Sequence, residues 1–98
     1  MRPVRVRPTA QLEVAEAFHW YLQRSAVAAQ RFLDAVDEAI GAIEEAPERY
    51  PVIHGRLRRV LLRRFPYAVY FRVFPSVISV VGVIHGSRHP DSWLRRRP

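Results

Sequence analysis

The sequence predicts an α+β fold, in which an N-terminal strand and an antiparallel two-helix hairpin pack on a mainly antiparallel β-sheet, with a short C-terminal helical turn. Two observations carry this prediction. Residues 10–45 place apolar side chains at steps of three and four, which is helical spacing. Residues 57–84 form three runs rich in β-branched and aromatic residues, separated by prolines. Residues 1–98 are expected to form a single domain, because a chain of this length buries one core.

The first strand is predicted at about residues 3–7, where Val4 and Val6 alternate with arginines between two prolines. Thr9 is the predicted cap of a helix that begins at Ala10 and runs to about Arg24. The side chains predicted to share its apolar face, with Trp20 and Tyr21 at the margins, are Leu12, Ala15, Phe18, His19 and Leu22.

A second helix is predicted to begin after a cap at Ser25 and to run through Glu45. Its apolar stripe consists of Ala29, Phe32, Leu33, Val36, Ile40 and Ile43. Because the connection between the helices is short, they should fold back on each other. Pro47 and Pro51 end the helix, and residues 48–55 are predicted to be a loop.

Three strands are predicted at residues 57–65, 67–74 and 77–84, joined as an antiparallel meander. The last is apolar nearly throughout, which is typical of a central strand. The first carries several arginines, which is typical of an exposed or edge strand.

Alternation in the middle strand predicts which side of the sheet meets the helices. The side chains expected on that side are Phe65, Tyr67, Val69 and Phe71. The outward side is expected to be crowded with guanidinium groups. Beyond Gly86, Asp91 is a potential cap for a last helical turn through Trp93 and Leu94.

The net charge of +7 is unevenly distributed along the chain. Residues 1–46 carry five arginines and seven acids, a net −2, whereas residues 47–98 carry eleven arginines and two acids, a net +9. Such a block indicates an anionic partner, either nucleic acid or an acidic protein. The absence of cysteine excludes disulfides, thiolate metal sites and a cysteine nucleophile. The charged N-terminus and the lack of a long apolar segment predict a cytoplasmic protein without membrane contact.

Four segments in a fixed order resemble the ParE branch of the RelE/ParE superfamily of bacterial toxins. Residues 28–36 contain an alanine pair followed by an aromatic-aliphatic step and an acid, AAQRFLDAV. The others are a helix exit at 45–51 (EAPERYP), a central strand at 63–73 (RRFPYAVYFRV) and a closing motif at 83–90 (VIHGSRHP). The resemblance covers nearly the whole chain.

The resemblance implies the toxin of a type II toxin-antitoxin system, a growth inhibitor of the kind associated with plasmid stabilization. A cognate antitoxin would neutralise it by wrapping an extended C-terminal segment around it, and operator DNA would be bound only through that complex. It leaves open a homodimer or a heterotetramer with the antitoxin. ParE-type members poison DNA gyrase, whereas RelE-type members cut messenger RNA inside the ribosome. No cofactor and no metal are expected.

Ribonuclease action requires a proton-transfer group and cations at the phosphate. The candidates for this role are Arg58, Arg59, Arg88 and His85, with Arg63, Arg64, Arg72, His54 and His89 as further ones. The match to the cleaving members is incomplete. Tyr67 stands where they carry a cation, arginines stand where they carry lysines, and Trp93 or Leu94 stands where they carry a tyrosine. A non-catalytic toxin is therefore favoured.

The residues expected to bind the target, DNA gyrase, are Arg88, Trp93, Arg95, Arg96 and Arg97. The antitoxin is expected over the helix hairpin and an exposed sheet edge, where its acids would meet the basic half. A third alternative is a plain nucleic-acid-binding module, because aromatic residues are interleaved with the arginines from Phe65 to Phe74.

Overall fold

A computed structural model describes residues 1–86 of the chain. The elements are β1 (Val4–Val6), α1 (Pro8–Leu22), α2 (Ala26–Glu45), a 3-10 turn (Pro47–Arg49), β2 (Val52–His54), β3 (Leu57–Leu61), β4 (Tyr67–Val73) and β5 (Ile78–His85). The strands form one sheet in the order β1-β5-β4-β3-β2. Both helices pack on one face of this sheet, which confirms the predicted α+β architecture. The predicted C-terminal turn at Asp91 lies outside the described residues.

Helix α1 begins differently from the prediction. Pro8 is its first residue and Arg7 is the N-cap in an extended conformation, without a side-chain hydrogen bond. Proline fits this position because the first helical N–H groups have no partner within the helix. The cap predicted at Thr9 is therefore wrong, and Thr9 lies inside the first turn.

The face of α1 that packs inward is also different from the predicted one. Ala10 and Ala17 are buried, and Val14 and Tyr21 pack against the core beside them. Of the predicted face, Leu12 is 59% exposed and Leu22 is 43% exposed. The helix carries apolar residues on both sides, and the side with small residues lies against the sheet because it permits a closer approach.

Helix α2 follows the prediction. The Ser25 hydroxyl oxygen accepts a hydrogen bond from the backbone N–H of Ala28 at 3.1 Å, so Ser25 caps the helix. Phe32, Val36 and Ile43 of the predicted stripe are buried, and Ile40 packs against the same core. The 23–25 connection brings α2 back against α1, and the two helices contact each other along their length.

The sheet confirms the antiparallel meander and adds a strand that was not predicted. β3, β4 and β5 pair antiparallel, while β1 pairs parallel with β5. β5 therefore lies between two strands, as its apolar sequence predicts. The segment predicted as a loop contains β2, which pairs antiparallel with the start of β3. β3 was predicted to be an exposed or edge strand. β2 covers its start at Leu57 and Arg58, and Arg59 and Leu61 are exposed.

A bulge between β4 and β5 determines which side chains of β5 face the helices. Tyr70 pairs with Gly82 and Phe71 pairs with Val80, so Val81 is the extra residue. An extra residue exchanges the faces of the side chains that follow it. As a result Val80 and Val83 both belong to the core under the helices.

The outward face of the sheet is not uniformly basic, contrary to the expectation. A second cluster of buried residues lies there, formed by Leu57, Ala68, Tyr70, Val81 and Ile84. The register also places Arg59 and Arg72 on this face, opposite Tyr70 and Leu57 respectively. The guanidinium groups therefore surround an apolar centre.

Aromatic rings join the helices to the sheet. Tyr21 stacks on Phe32 with the ring centroids 5.3 Å apart, and Phe65 meets both rings edge to face at 5.2 and 5.6 Å. Tyr67 contacts Phe32 at 5.3 Å. Contacts of this geometry stabilise the packing beyond the burial of area alone. The predicted helix-facing side of β4 is confirmed.

Candidate functional site

Four exposed arginines follow β3 and the two loops beside it. We call Arg56, Arg59, Arg63 and Arg64 the basic edge. Gly55, with a φ of 54°, forms the turn that leads from β2 to β3, and the left-handed conformation at this position suits glycine. The register places Arg59 on the outward face, and Arg63 lies 3.6 Å from a carboxylate oxygen of Glu38 on α2. This ion pair is exposed and contributes little stability.

Arg58 faces the helices, unlike Arg59, and it hydrogen-bonds to the backbone of the segment after α2. Its register partner is Phe71, which lies in the core under the helices. The guanidinium Nη1 donates to the carbonyl oxygen of Tyr50 and, at 3.4 Å, to that of Glu48. Arg58 therefore satisfies backbone acceptors in the 3-10 turn and in the residue that follows it.

Arg2 and Glu48 tie the N-terminus to the end of α2. The guanidinium Nη1 of Arg2 donates to Glu48 Oε1 at 2.9 Å. This hydrogen bond, a backbone hydrogen bond, and the positive charges of Arg2 and Arg58 hold the pKa of the Glu48 carboxyl below its ordinary value. Because the pair is exposed, it orients the N-terminus more than it stabilises the fold.

A cleft of about 690 Å³ lies between α1 and the end of β5. Trp20 and Tyr21 of α1 line one side, and Tyr67 and His85 line the other. The rings of Tyr67 and His85 meet edge to face at 5.1 Å. Burial raises the pKa of the Tyr67 hydroxyl, and burial together with the nearby Tyr67 raises that of Tyr21.

Glu13 closes part of the edge of β5 at this cleft. β1 pairs with β5 only as far as Val80, so Val83 lies beyond the pairing. Glu13 Oε1 accepts a hydrogen bond from the backbone N–H of Val83 at 3.0 Å. The Glu13 carboxylate of α1 thus accepts the hydrogen bond that a neighbouring strand would otherwise accept from Val83. Glu13 was not predicted from the sequence, because no local pattern indicates that an acid on a helix accepts a hydrogen bond from a strand seventy residues away.

Of the four leading ribonuclease candidates, the three in the described part of the chain do not converge, although the further candidate Arg72 shares the outward face with Arg59. Arg58 faces the helices, whereas Arg59 faces outward. His85 pairs with Tyr67 and Arg59 pairs with Tyr70, which places them two strands and three residues apart, roughly 14 Å from standard sheet spacing. Arg88, the fourth candidate, lies outside the described residues.

The aromatic residues of β4 and its flanks give no stacking platform. Tyr70 and Phe71 are buried, and Phe65 and Tyr67 are held in the contacts with α1 and α2. Phe74 is half-buried, with the Arg56 guanidinium 5.4 Å from its ring centroid. Base stacking needs an accessible ring face, so this arrangement disfavours a nucleic-acid-binding module of that kind.

Residues 4–90 match the sequence profile of a family described as "ParE toxin of type II toxin-antitoxin system, parDE". The chain belongs to the ParE toxin family. The fold agrees with a solved structure described as "Chromosomal ParDE TA system from P. aeruginosa", with a TM-score of 0.75 at 16% sequence identity. That match covers 87% of this chain and 96% of the other. Among curated proteins, no sequence matches the chain.

As a member of the ParE toxin family, the chain carries the toxin role of a type II toxin-antitoxin system, which pairs it with an antitoxin. The residues expected to bind the target, namely Arg88, Trp93, Arg95, Arg96 and Arg97, lie outside the described residues. Within residues 1–86, no group of three or more histidines and acids is placed to hold a metal ion. In the same part of the ParE-family chain, neither helix has the length and apolar character needed to cross a membrane.

Proposed function

We propose that this ParE-family toxin arrests growth by binding and poisoning DNA gyrase in the cytoplasm, without hydrolysing RNA, and that a cognate antitoxin neutralises it. Arg88, Trp93 and the arginines at 95–97 are the residues through which it binds gyrase. Their guanidinium groups and indole ring suit an anionic, partly apolar surface.

The separation of Arg58, Arg59 and His85 is the observation that carries this proposal. Cleavage by attack of a 2′-hydroxyl needs a base and cations within hydrogen-bond reach of one phosphate. Arg58 is engaged by two backbone carbonyls, and His85 faces the opposite side of the sheet from Arg59. Tyr67, with its raised pKa, is a neutral, packed phenol at the position where the cleaving relatives carry a cation.

The apolar groups left exposed on α1 support neutralisation by a second protein. Leu12, Trp20 and Leu22 are 59%, 50% and 43% exposed, and they lie on a helix that already buries its other side. Exposed apolar side chains on a helix, in a molecule that also carries a basic edge, suit an acidic, extended antitoxin.

Two parallel reactions test the choice of target. Purified toxin is added to a gyrase supercoiling reaction and to ribosomes programmed with a defined message. We expect inhibition or trapped DNA cleavage in the first and intact message in the second. The matched variants are Arg88→Ala, which should lose the inhibition, and Arg5→Ala, which changes an exposed strand arginine and should keep it.

Cleaved message with unaffected gyrase would refute the proposal in favour of a RelE-like endonuclease. Inactivity in both reactions, together with tight binding to unrelated DNA that weakens steeply with salt, would refute it in favour of a nucleic-acid-binding module.

A further inference from the structure

We propose that residues 87–98, which lie outside the described part of the chain, fold back across the outward face of the sheet in the free toxin. In this arrangement Trp93 and Leu94 cover the apolar centre of that face, and Asp91 lies against Arg72. The inference does not rest on gyrase being the target, because it concerns the toxin alone.

The outward face of the sheet is buried at its centre. Tyr70, Val81 and Ile84 are 5%, 3% and 3% exposed, although they lie on the side away from the helices. Ala68 and Leu57 beside them are each 1% exposed. An antiparallel sheet whose second face meets water carries polar side chains there. β5 instead has apolar side chains on both faces, which is typical of a strand covered from both sides.

The helices do not supply this cover. Within residues 1–86, α1 and α2 both pack on the opposite face, against the core that contains Val80 and Val83. Arg5 and Leu61, at the margins of the outward face, are exposed, so the cover lies over the centre. A hydrophobic sheet face is buried against another element of the fold. The burial exists within one chain, so we assign the cover to the twelve residues that follow Gly86.

The end of β5 brings the segment to this face. Gly86 donates its backbone N–H to the carbonyl oxygen of Pro66 at 2.7 Å, which holds the chain at the end of the β4–β5 pair. An extended chain advances roughly 3.3 Å per residue, so residues 87–92 reach roughly 20 Å. The whole five-stranded sheet is roughly 20 Å wide. The segment is therefore long enough to bring Trp93 and Leu94 over β4.

The apolar residues of the segment suit the centre of the face. Trp93 and Leu94 are adjacent, and they are the only large apolar residues among residues 87–98. An indole ring and a leucine side chain together remove a large apolar area from water when they pack on a sheet. They match the cluster of aliphatic and aromatic side chains around Tyr70 and Val81.

The single acid of the segment suits the one cation near that centre. Arg72 lies on the outward face, where its register partners are Leu57 and Ser79. Burial lowers the pKa of the Arg72 guanidinium below its ordinary value. A guanidinium held among apolar side chains is stable when a carboxylate pairs with it. Asp91, two residues before Trp93, supplies such a carboxylate.

This arrangement gives the terminal arginines a fixed base. Arg95, Arg96 and Arg97 follow the anchored pair directly, so they leave the sheet face at one defined place. The segment also covers Arg72, one of the cations that an RNA would have to reach for cleavage.

A spin label tests where Trp93 lies. The chain contains no cysteine, so a nitroxide can be attached at one introduced cysteine. Leu61→Cys places it on the outward face, and Leu12→Cys places it on the side of α1 opposite the buried Ala17; the two positions are 65% and 59% exposed. In full-length, isotope-labelled toxin carrying Trp20→Phe, the one indole N–H signal belongs to Trp93. The label at position 61 should weaken that signal severalfold more than the label at position 12.

Equal weakening by the two labels, or stronger weakening from position 12, would overturn the proposal. Weakening that grows with protein concentration would assign the cover to a second copy and would overturn it as well. The label positions are both exposed, so this test does not depend on a variant of the buried centre.

Acrylamide quenching of Trp93 emission, again with Trp20→Phe, tests the charge pair. Arg72→Asp should raise the quenching severalfold, because attraction to Asp91 becomes repulsion, and adding Asp91→Arg should restore the original value. Arg5→Asp makes the same change in charge at an exposed position on the same face and should leave the quenching unchanged. Equal effects of Arg72→Asp and Arg5→Asp in folded variants, or no restoration by Asp91→Arg, would contradict the placement of Asp91. Neither test involves gyrase, so this proposal and the proposed function can fail separately.

Discussion

Arg64 holds the backbone in the left-handed region, with a φ of 68°, in the loop between β3 and β4. The conformation costs an L-residue about 1–2 kcal/mol, whereas glycine adopts it freely at the expense of a more flexible unfolded chain. Replacing Arg64 with glycine should therefore raise the free energy of unfolding by about 0.5–1 kcal/mol, as measured by urea denaturation.

Its neighbour provides the control. Arg63 is exposed like Arg64 but is not among the described residues with positive φ. Arg63→Gly should lower the free energy of unfolding by about 0.5–1 kcal/mol. If both glycine variants are destabilised alike, the strain at Arg64 is not real.

The tyrosine hydroxyls at the α1 cleft should make stability fall in alkali. Burial raises the pKa of Tyr67, and burial with the nearby Tyr67 raises that of Tyr21, from the ordinary 10.0. A raised pKa means that the folded state keeps its proton after the unfolded state has lost it. This contribution is complete below pH 10.0 and is lost as the pH rises through the folded-state pKa values.

Urea denaturation at pH 8 and at pH 11 measures this loss. In Tyr67→Phe, the fall in the free energy of unfolding between the two pH values should be smaller than in the wild type. An unchanged fall would show that the alkaline destabilisation comes from other groups.

The start of each helix illustrates how capping differs between elements. Ser25→Ala removes the acceptor of the Ala28 N–H and should lower the free energy of unfolding by about 1 kcal/mol. Thr9→Ala alters a residue inside the first turn of α1, where Pro8 and Arg7 already define the start, and should change stability by less than about 0.5 kcal/mol. Thermal or urea unfolding of both variants measures the difference, and a larger loss in Thr9→Ala would contradict the assigned start of α1.

The elements also show why some features follow from sequence and others do not. The stripe on α2 was predictable because its outer side is acidic, so Phe32 and Val36 define one apolar face. α1 offers apolar residues on two sides, and periodicity alone could not choose between Ala17 and Leu22. Three-residue β2 was missed because it lies between a proline and a glycine, where turn residues dominate the local pattern.

The candidate site was less predictable than the fold. Charge counting located the basic edge in the second half of the chain, but it could not separate Arg58, which faces the helices, from Arg59, which faces outward. That separation follows from strand register, and register depends on pairing partners that sequence alone does not define.

At the scale of the whole molecule, the N-terminal strand β1 covers the edge of β5 and stabilises the fold. Val4 and Val6 pack against the core, and the backbone of Arg7 donates to Val80 at 2.9 Å. Deleting residues 1–6 should lower the free energy of unfolding by about 2–4 kcal/mol, from the lost burial of the two valines. It should also promote aggregation through the bared edge of β5, measurable by size-exclusion chromatography.

A point variant in the same strand provides the control for this deletion. Arg5→Ala alters an exposed side chain and keeps the strand, so it should elute as the wild type does and have a free energy of unfolding within about 0.5 kcal/mol of the wild type's. A deletion variant as stable as Arg5→Ala would show that β1 is dispensable.

The parallel pairing of β1 with β5 also sets the moment in synthesis at which the toxin is complete. Val4 and Val6 have no strand partner until Ile78 and Val80 have been synthesised. Pairing of β1 is therefore deferred until β5 has been synthesised, since the first strand emerges from the ribosome long before its neighbour. A chain that stops before Ile78 leaves β1 without its partner strand, so we expect such a fragment not to assemble the complete sheet.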